Sequence, residues 1–390
     1  MRSIARIAAV ALAVLAGTAA SISPAAQASV QPGWRLTNVV RPCGRAPSGL
    51  LSVSAVSAAD AWALGYIHAV HCATFLEHWN GASWRTTRIA AGVAYGPLPS
   101  PIAASSASGV WLFPVGSSPQ DAFEGVEYAL DWNGHRWRSS QFPRPTIVTG
   151  ADAFGSSDVW AFGVTVRNDI VGSVPYAARY DGKRWRVARM PGAPLSVGAT
   201  SATDMWAVGP TNKTAARPLR RQTLIAMHWN GRSWRTFALP AIAWPNGATQ
   251  VSGHLVAVSS TEFWWQYDAG ASGGGPVGTG VLHCAAGHCQ QIALPPNVLG
   301  VLAMSADGSG GVVISALDES PVTYNSWQEW YDYTGGRWHG RLELSPRGYN
   351  SEYSGLAWIP GTDSVWSVGE ADANSGRARV LTEGVIARYG

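Results

Sequence analysis

The residues of this chain best able to do chemistry are few and scattered. A basic run, PTNKTAARPLRRQ (Pro210 to Gln222), gathers Lys213, Arg217, Arg220 and Arg221. Their cationic groups suit an anionic partner, and a solvated basic loop is the competing reading. Trp244, Trp327 and Tyr324 offer flat faces for a sugar ring or a protein side chain. Acids stand singly at Asp121, Glu124, Asp268, Asp318, Glu319, Glu370 and Asp372, without the spacing of a calcium loop. A paired-carboxylate site would need such acids to converge from distant parts of the chain. His68, His71 and Cys72 form the one local cluster of metal-ligand type, and a disulfide at Cys72 would remove it. The sequence has no Ser-His-Asp arrangement and no phosphate-cradling loop. No cofactor, no metal and no catalytic residue is therefore expected.

What must position these residues is a repeat. One unit reads SATDMWAVG (Ser201 to Gly209), a variable stretch, then AMHWNGRSWRTFALP (Ala226 to Pro240). Relatives are SAADAWALG with LEHWNGASWRT, SASGVWLF with ALDWNGHRWRSSQFP, and SSDVWAFG with ARYDGKRWRVARMP. STEFWWQY with VLHCAAGHCQQIALP follows, then a degenerate SADGSGGVVIS with WYDYTGGRWHGRLEL, then TDSVWSVG with IARYG. The marker tryptophans Trp62, Trp111, Trp160, Trp206 and Trp264 are 46 to 58 residues apart, and Trp366 follows the degenerate unit. That period fits a four-stranded propeller blade.

Each unit divides into four short strands. A turn carrying Asp60, Asp158, Asp204, Glu262 or Asp363 joins the first two, and its carboxylate is expected to cap turn amides. The third strand ends on one aromatic residue and the fourth starts on another five positions later. Trp79/Trp84, Trp132/Trp137, Tyr180/Trp185, Trp229/Trp234 and Tyr333/Trp338 are then cross-strand pairs around four-residue turns. In the fifth unit Cys284 and Cys289 occupy those two places. Directly opposed hairpin residues lie within disulfide reach, which predicts Cys284–Cys289 and leaves Cys43–Cys72. Four cysteines allow two other connectivities, which stay open.

The last unit stops at Tyr389-Gly390 without a fourth strand, while GWRLTNVV (Gly33 to Val40) is an orphan fourth strand. Pairing Trp34 with Tyr389 would complete the last blade and remove an open edge. The expected fold is all-β: a seven-bladed β-propeller with four-stranded blades, its ring closed by the N-terminal strand. Fifteen of the 20 tryptophans occupy repeat positions, which assigns them to blade packing.

Composition bounds the setting. Residues 1–28 read as a signal peptide: Arg2 and Arg6, an apolar run from Ile7 to Gly17, then Ala26-Gln27-Ala28 as cleavage site. Residues 29–390 are one domain, expected to be secreted, disulfide-bonded and monomeric. The apolar run is too short for a membrane span, and no membrane insertion is expected. Without the signal the formal charge falls from +4 to +2, which argues for no nucleic-acid partner.

The order of a Gly-ended second strand, Tyr or Trp, a second Trp and then Pro resembles the kelch and galactose-oxidase type of propeller repeat. VWAFG…ARYDGKRWRVARMP matches best, with one Gly where kelch repeats usually have two. The WAVG…HWNGxxW pattern is more similar still to repeat arrays of secreted bacterial proteins. The resemblance implies fold and little about activity. In such propellers the connections between strands two and three, and between blades, emerge on one face around the channel. Their lengths vary here, so that face is the expected site carrier. The expectation is a non-catalytic module that binds an extracellular glycan, wall polymer or protein through Trp244, Tyr324, Trp327, Arg217, Arg220 and Arg221. The alternative is an extracellular carbohydrate-active enzyme, a hydrolase, lyase or oxidase, with acids or histidines gathered at the channel mouth.

Overall fold

The computed structural model describes residues 33–42, 46–67, 74–89, 101–114, 126–167, 170–215, 217–271, 276–319, 326–341, 349–373 and 381–390. They form antiparallel sheets, with one 3-10 turn at Leu219–Arg221. Four sheets follow the four-strand plan in chain order. The first comprises Ser48–Ser57, Asp60–Ile67, Thr74–Trp79 and Trp84–Arg88. The others are Ser196–Ser201 to Trp234–Ala238, Ala248–Ser259 to His288–Ile292, and Val298–Ala306 to Arg337–Arg341. A further four-stranded sheet joins the two ends of the described chain. Trp34–Val40 pairs with Leu381–Tyr389, Trp34 opposite Tyr389, followed by Val365–Ala373 and Tyr349–Trp358.

The remaining sheet has seven strands and departs from the expected plan. Trp137–Gly155 runs unbroken for 19 residues and serves two four-strand units at once. Its first half pairs with Val126–Trp132, and its second half with Asp158–Arg167. The described residues thus form six sheets where seven blades were expected. Gln141-Phe142-Pro143-Arg144-Pro145 stays in the sheet, since extended backbone suits proline.

The hairpins explain the sequence pattern. Trp79↔Trp84, Trp132↔Trp137, Tyr180↔Trp185 and Trp229↔Trp234 are directly opposed. In each turn the Asn or Asp side chain accepts two backbone N–H groups at 2.9–3.1 Å, as Asn230 does from Arg232 and Ser233. The following glycines, Gly81, Gly134, Gly182 and Gly231, have φ between 84° and 89°. Two hairpins are tighter than expected. Ala285↔His288 and Thr334↔Arg337 close two-residue loops, Ala286-Gly287 and Gly335-Gly336, all four with positive φ. One of these carries the Cys284–Cys289 bridge, with Cα atoms 4.0 Å apart. Cys43 and Cys72 lie outside the described residues.

Packing between units uses one device repeatedly. Trp366 lies edge-on to Trp79 and Trp84, with centroids at 5.2 and 5.0 Å. Trp111 meets Tyr180 and Trp185, and Trp160 meets Trp229 and Trp234, in the same way. Trp62 packs with Trp132 and Trp137, Trp206 with Cys284 and Cys289, and Trp264 with Tyr333 and Trp338. In the degenerate unit Val313 takes the marker position. Trp330, from the neighbouring strand, fills the space by stacking on Trp34 at 4.2 Å.

The acids of the first turn do not cap it. Serines do: Ser57, Ser106, Ser201 and Ser259 accept the turn N–H groups at 3.2–3.3 Å. The carboxylates instead hold a basic group against the marker tryptophan. Asp60, Asp204 and Glu262 contact His78, His228 and His283 at 3.0, 2.6 and 2.8 Å. Those imidazoles lie over Trp62, Trp206 and Trp264. Asp158 grips Arg179, whose guanidinium sits over Trp160.

Two stability predictions result. Trp366 is fully buried, so Trp366→Ala should lower stability by about 3–5 kcal/mol in urea unfolding. Glu77 is also buried, with Thr86 donating to it at 2.5 Å, and burial pushes its carboxyl up to about 7. The native state thus keeps a proton that the unfolded chain loses near the ordinary carboxylate range. Stability is fully present below that range and falls as pH rises towards 7. Glu77→Gln should therefore change little at pH 4 and add about 3 kcal/mol at pH 8.

Candidate functional site

Where the second strands run out and the first strands begin, the described residues enclose a cavity of about 650 Å³. This is the end that carries the variable connections. Its polar lining is Tyr66, Ser252, His254, Asp268, Glu352 and Glu370, with Thr149 and Ser354, and no Lys or Arg lines it among the described residues. Four lining residues share one repeat position, the fourth after each marker: Tyr66, Val164, Asp268 and Glu370 follow Trp62, Trp160, Trp264 and Trp366. In these four units the repeat thus aims one side chain at the mouth.

Two carboxylates meet there. Glu352 and Glu370 are directly opposed on Tyr349–Trp358 and Val365–Ala373, and both line the cavity. Like charges in that arrangement destabilise a sheet. Tyr66 donates to Glu370 Oε2 at 2.6 Å. Gly49 leaves room for this bond: a Cβ there would lie 2.7 Å from both Glu370 Oε2 and the Tyr66 ring. Burial and the Glu370 bond push the Tyr66 phenol far up. Partial burial, then the charge of Glu370, pushes the Glu352 carboxyl up.

The second polar wall belongs to another sheet. Asp268 lies opposite Ser252, and His254 follows on the same face. Burial pushes the His254 imidazole down, against the opposing charge of Asp268. Asp268 Oδ1 is enclosed without a hydrogen-bond partner among the described residues. At the other end of the first strands, a cavity of about 760 Å³ is lined mainly by small residues such as Ala55, Ala104, Ala199 and Ala257. Its lone acid, Asp152, is pushed up to about 7 by burial.

Of the described residues singled out from the sequence, Asp268 and Glu370 line the mouth. Arg217 and Arg221 are exposed on the loop that holds the Leu219–Arg221 turn. Arg220 instead donates to Pro245 O at 2.7 Å and Asn246 Oδ1 at 3.2 Å, tying two connections together. Trp244 is half-buried, edge-on to Tyr267 and packed against Leu219, Ala248 and Ala269. Tyr324 lies outside the described residues, as do His68, His71, Asp121 and Glu124. Trp327 stands opposite Asp318 in its strand, and its side chain is outside the description. Asp318 is buried and accepts from Tyr331. Among the described residues no cluster of His, Cys, Asp and Glu has the makings of a metal site. No helix among them is long and apolar enough to cross a membrane.

A prediction follows from the opposed pair. Its raised carboxyl makes Glu352 cost stability as pH rises above the ordinary carboxylate range. Glu352→Gln should leave the urea midpoint unchanged at pH 4 and raise it at pH 8.

No protein-family model matches the chain, and no curated protein does. Solved structures do. "YCF48 bound to D1 peptide" is 11% identical, with a TM-score of 0.51, covering 92% of this chain and 94% of that one. A polysaccharide lyase, "PL25-Ulvanlyase bound to -[GlcA(1-4)Rha3S]-", is 11% identical, with a TM-score of 0.54, covering 87% and 94%. At such identity the likeness speaks for fold alone. With the all-β sheets and their repeat, it makes this chain a β-propeller repeat protein.

Proposed function

We propose that the chain is a secreted propeller of seven blades that binds a neutral extracellular glycan in its channel mouth. The blade count is supported by the packing between units. The seven-stranded sheet is taken as two blades sharing Trp137–Gly155. Each marker position then packs on the hairpin pair of the next blade, and the seventh, Trp366, returns to Trp79 and Trp84 of the first. Strand Trp34–Val40 supplies the fourth strand of the last blade. The signal-like leader and the Cys284–Cys289 bridge support export.

The observation that carries the binding reading is the mouth itself. It combines hydrogen-bonding carboxylates, a tyrosine and an imidazole with apolar Leu50, Leu195 and Val251, and lacks Lys and Arg among the described residues. Such a lining accepts sugar hydroxyls and repels uronate or sulfate groups. The acidic disaccharide named for the lyase is therefore the wrong charge for this cavity. Arg220 ties two connections together, and Arg217 and Arg221 are exposed and absent from the cavity lining.

A glycan array followed by titration calorimetry tests this. Neutral oligosaccharides are expected to bind, sulfated ones not. Tyr66→Phe should weaken binding by about 0.5–1.5 kcal/mol, the net worth of one hydrogen bond. Arg217→Ala with Arg221→Ala should leave it unchanged. Binding confined to acidic glycans, or lost with the two arginines, would overturn the reading.

A further inference from the structure

We infer that the gap between the disulfide-bearing sheet and the sheet after it is a side pocket of the mouth, which seats the terminal neutral sugar of the glycan. The inference rests on the binding reading above and names the subsite and the part of the ligand it takes. The two sheets are Ala248–Ser259 to His288–Ile292 and Val298–Ala306 to Arg337–Arg341. The gap encloses about 480 Å³, within the roughly 300–1,000 Å³ of small-ligand sites. Val251, Ser252, Asp268, Val301 and Leu302 line both this gap and the mouth, so the two spaces adjoin.

Unmet hydrogen bonding marks the gap. Strand alternation puts Ser252 and His254, with Gln266 and Asp268 opposite them, on the face that Val256 and Trp264 turn towards the next sheet. Gln266 is completely buried, yet its Oε1 has no partner among the described residues. Asp268 Oδ1, one pleat nearer the opening, is enclosed and unmatched as well. On the second sheet Asp318 follows Val312, Ile314 and Ala316 along the face that packs towards Trp264 and Val281. It is buried, and its Oδ1 is the third such oxygen. Among the described residues, these three are all the enclosed carboxylate or amide oxygens without a partner, and all belong to the two facing walls. An enclosed acceptor without a donor costs stability, so the walls call for a donor-rich occupant.

No Lys or Arg lines the gap among the described residues, so the donors must come from the ligand. Sugar hydroxyls supply several donors around one ring. Gly270, Gly300 and Leu317 offer open and apolar surface to its C–H groups. A single water, at about 30 Å³, is far too small to fill the space. The closed end sets which part of a chain fits. Beyond Gln266 the face continues as the apolar core of Trp264, Val281 and Ile314. His254 hydrogen-bonds the Leu302 backbone and so bridges the two first strands. A chain cannot thread such a pocket, so a terminal residue enters and the rest of the glycan leaves through the mouth.

Titration calorimetry on the whole protein tests this, with methyl glycosides of neutral hexoses and pentoses and with neutral oligosaccharides. One methyl glycoside is expected to bind, and to compete with the oligosaccharide that ends in it. Gln266→Leu should weaken that binding about 3–10-fold, the loss of one hydrogen bond. The same variant should raise the urea midpoint of the free protein, because the orphaned oxygen is gone. Gly270→Val narrows the gap from its rim and leaves Tyr66, Glu352 and Glu370 untouched. A Cβ there lies 3.0 Å from Nε2 of Gln250, an exposed side chain that can turn aside. Gly270→Val should abolish methyl glycoside binding with an unchanged circular dichroism spectrum. Oligosaccharide binding that both variants leave intact, and that Tyr66→Phe weakens, would overturn the side pocket and keep the mouth reading. Sugar affinity unchanged in Gln266→Leu would assign its oxygen to water and also overturn the pocket. Failure of every glycan to bind would overturn both readings together.

Discussion

The structure depends on the contact between one tryptophan and the hairpin pair of the neighbouring unit. A propeller blade is a small twisted sheet with little interior of its own, so its faces are buried only by its neighbours. Here a marker tryptophan is held on one side, in five of the six cases, by a histidine or arginine of its own sheet, as His78 holds Trp62 and Arg179 holds Trp160, while Asp131 stands opposite Trp111. On the other side it meets two rings, or a disulfide, of the next sheet. The large rings bury enough apolar area to join sheets that share few backbone hydrogen bonds. The substitutions at the weak points follow the same logic. Where the marker is Val313, Trp330 supplies the missing volume. Where the pair is missing, the Cys284–Cys289 bridge takes its place beside Trp206.

This regularity made much of the fold legible in the sequence. Aromatic residues five apart around Asn-Gly announced the opposed pairs, and the same spacing announced Cys284–Cys289. The orphan strand at Trp34 pairs with Tyr389 because it carries the missing fourth-strand pattern. The unbroken strand Trp137–Gly155 was not legible. Each unit was expected to have its own strands, yet Pro143 and Pro145 fit extended chain and the strand runs on through them. The acid of the first turn was misread for a related reason. A serine three residues earlier in sequence offers the same cap, and only the fold shows that the carboxylate reaches His or Arg on the third strand.

The candidate site was legible only in part. Asp268 and Glu370 stood out as isolated acids, while Tyr66, His254 and Glu352 did not. Their signal was present in the repeat as the fourth residue after each marker, a place with no shared residue type: Tyr66, Val164, Asp268, Glu370. Variation at one position of an otherwise regular unit is what a mouth assembled from many blades requires. Exposed arginines and unusual tryptophans drew attention first because their types are distinctive. Arg220 and Trp244 prove to hold loops together.

Structure and site therefore divide the repeat between them. Marker and hairpin residues hold the blades, and the fourth residue after the marker is left free to vary at the mouth. Gly49 joins the two roles, since its missing side chain gives Glu370 and Tyr66 the space in which they meet. Titration of a neutral oligosaccharide into Gly49→Val, beside the unaltered protein, tests this account most directly. The expected result is loss of binding with an unchanged circular dichroism spectrum. Unaltered affinity in that variant would contradict the assignment of the mouth as the ligand site.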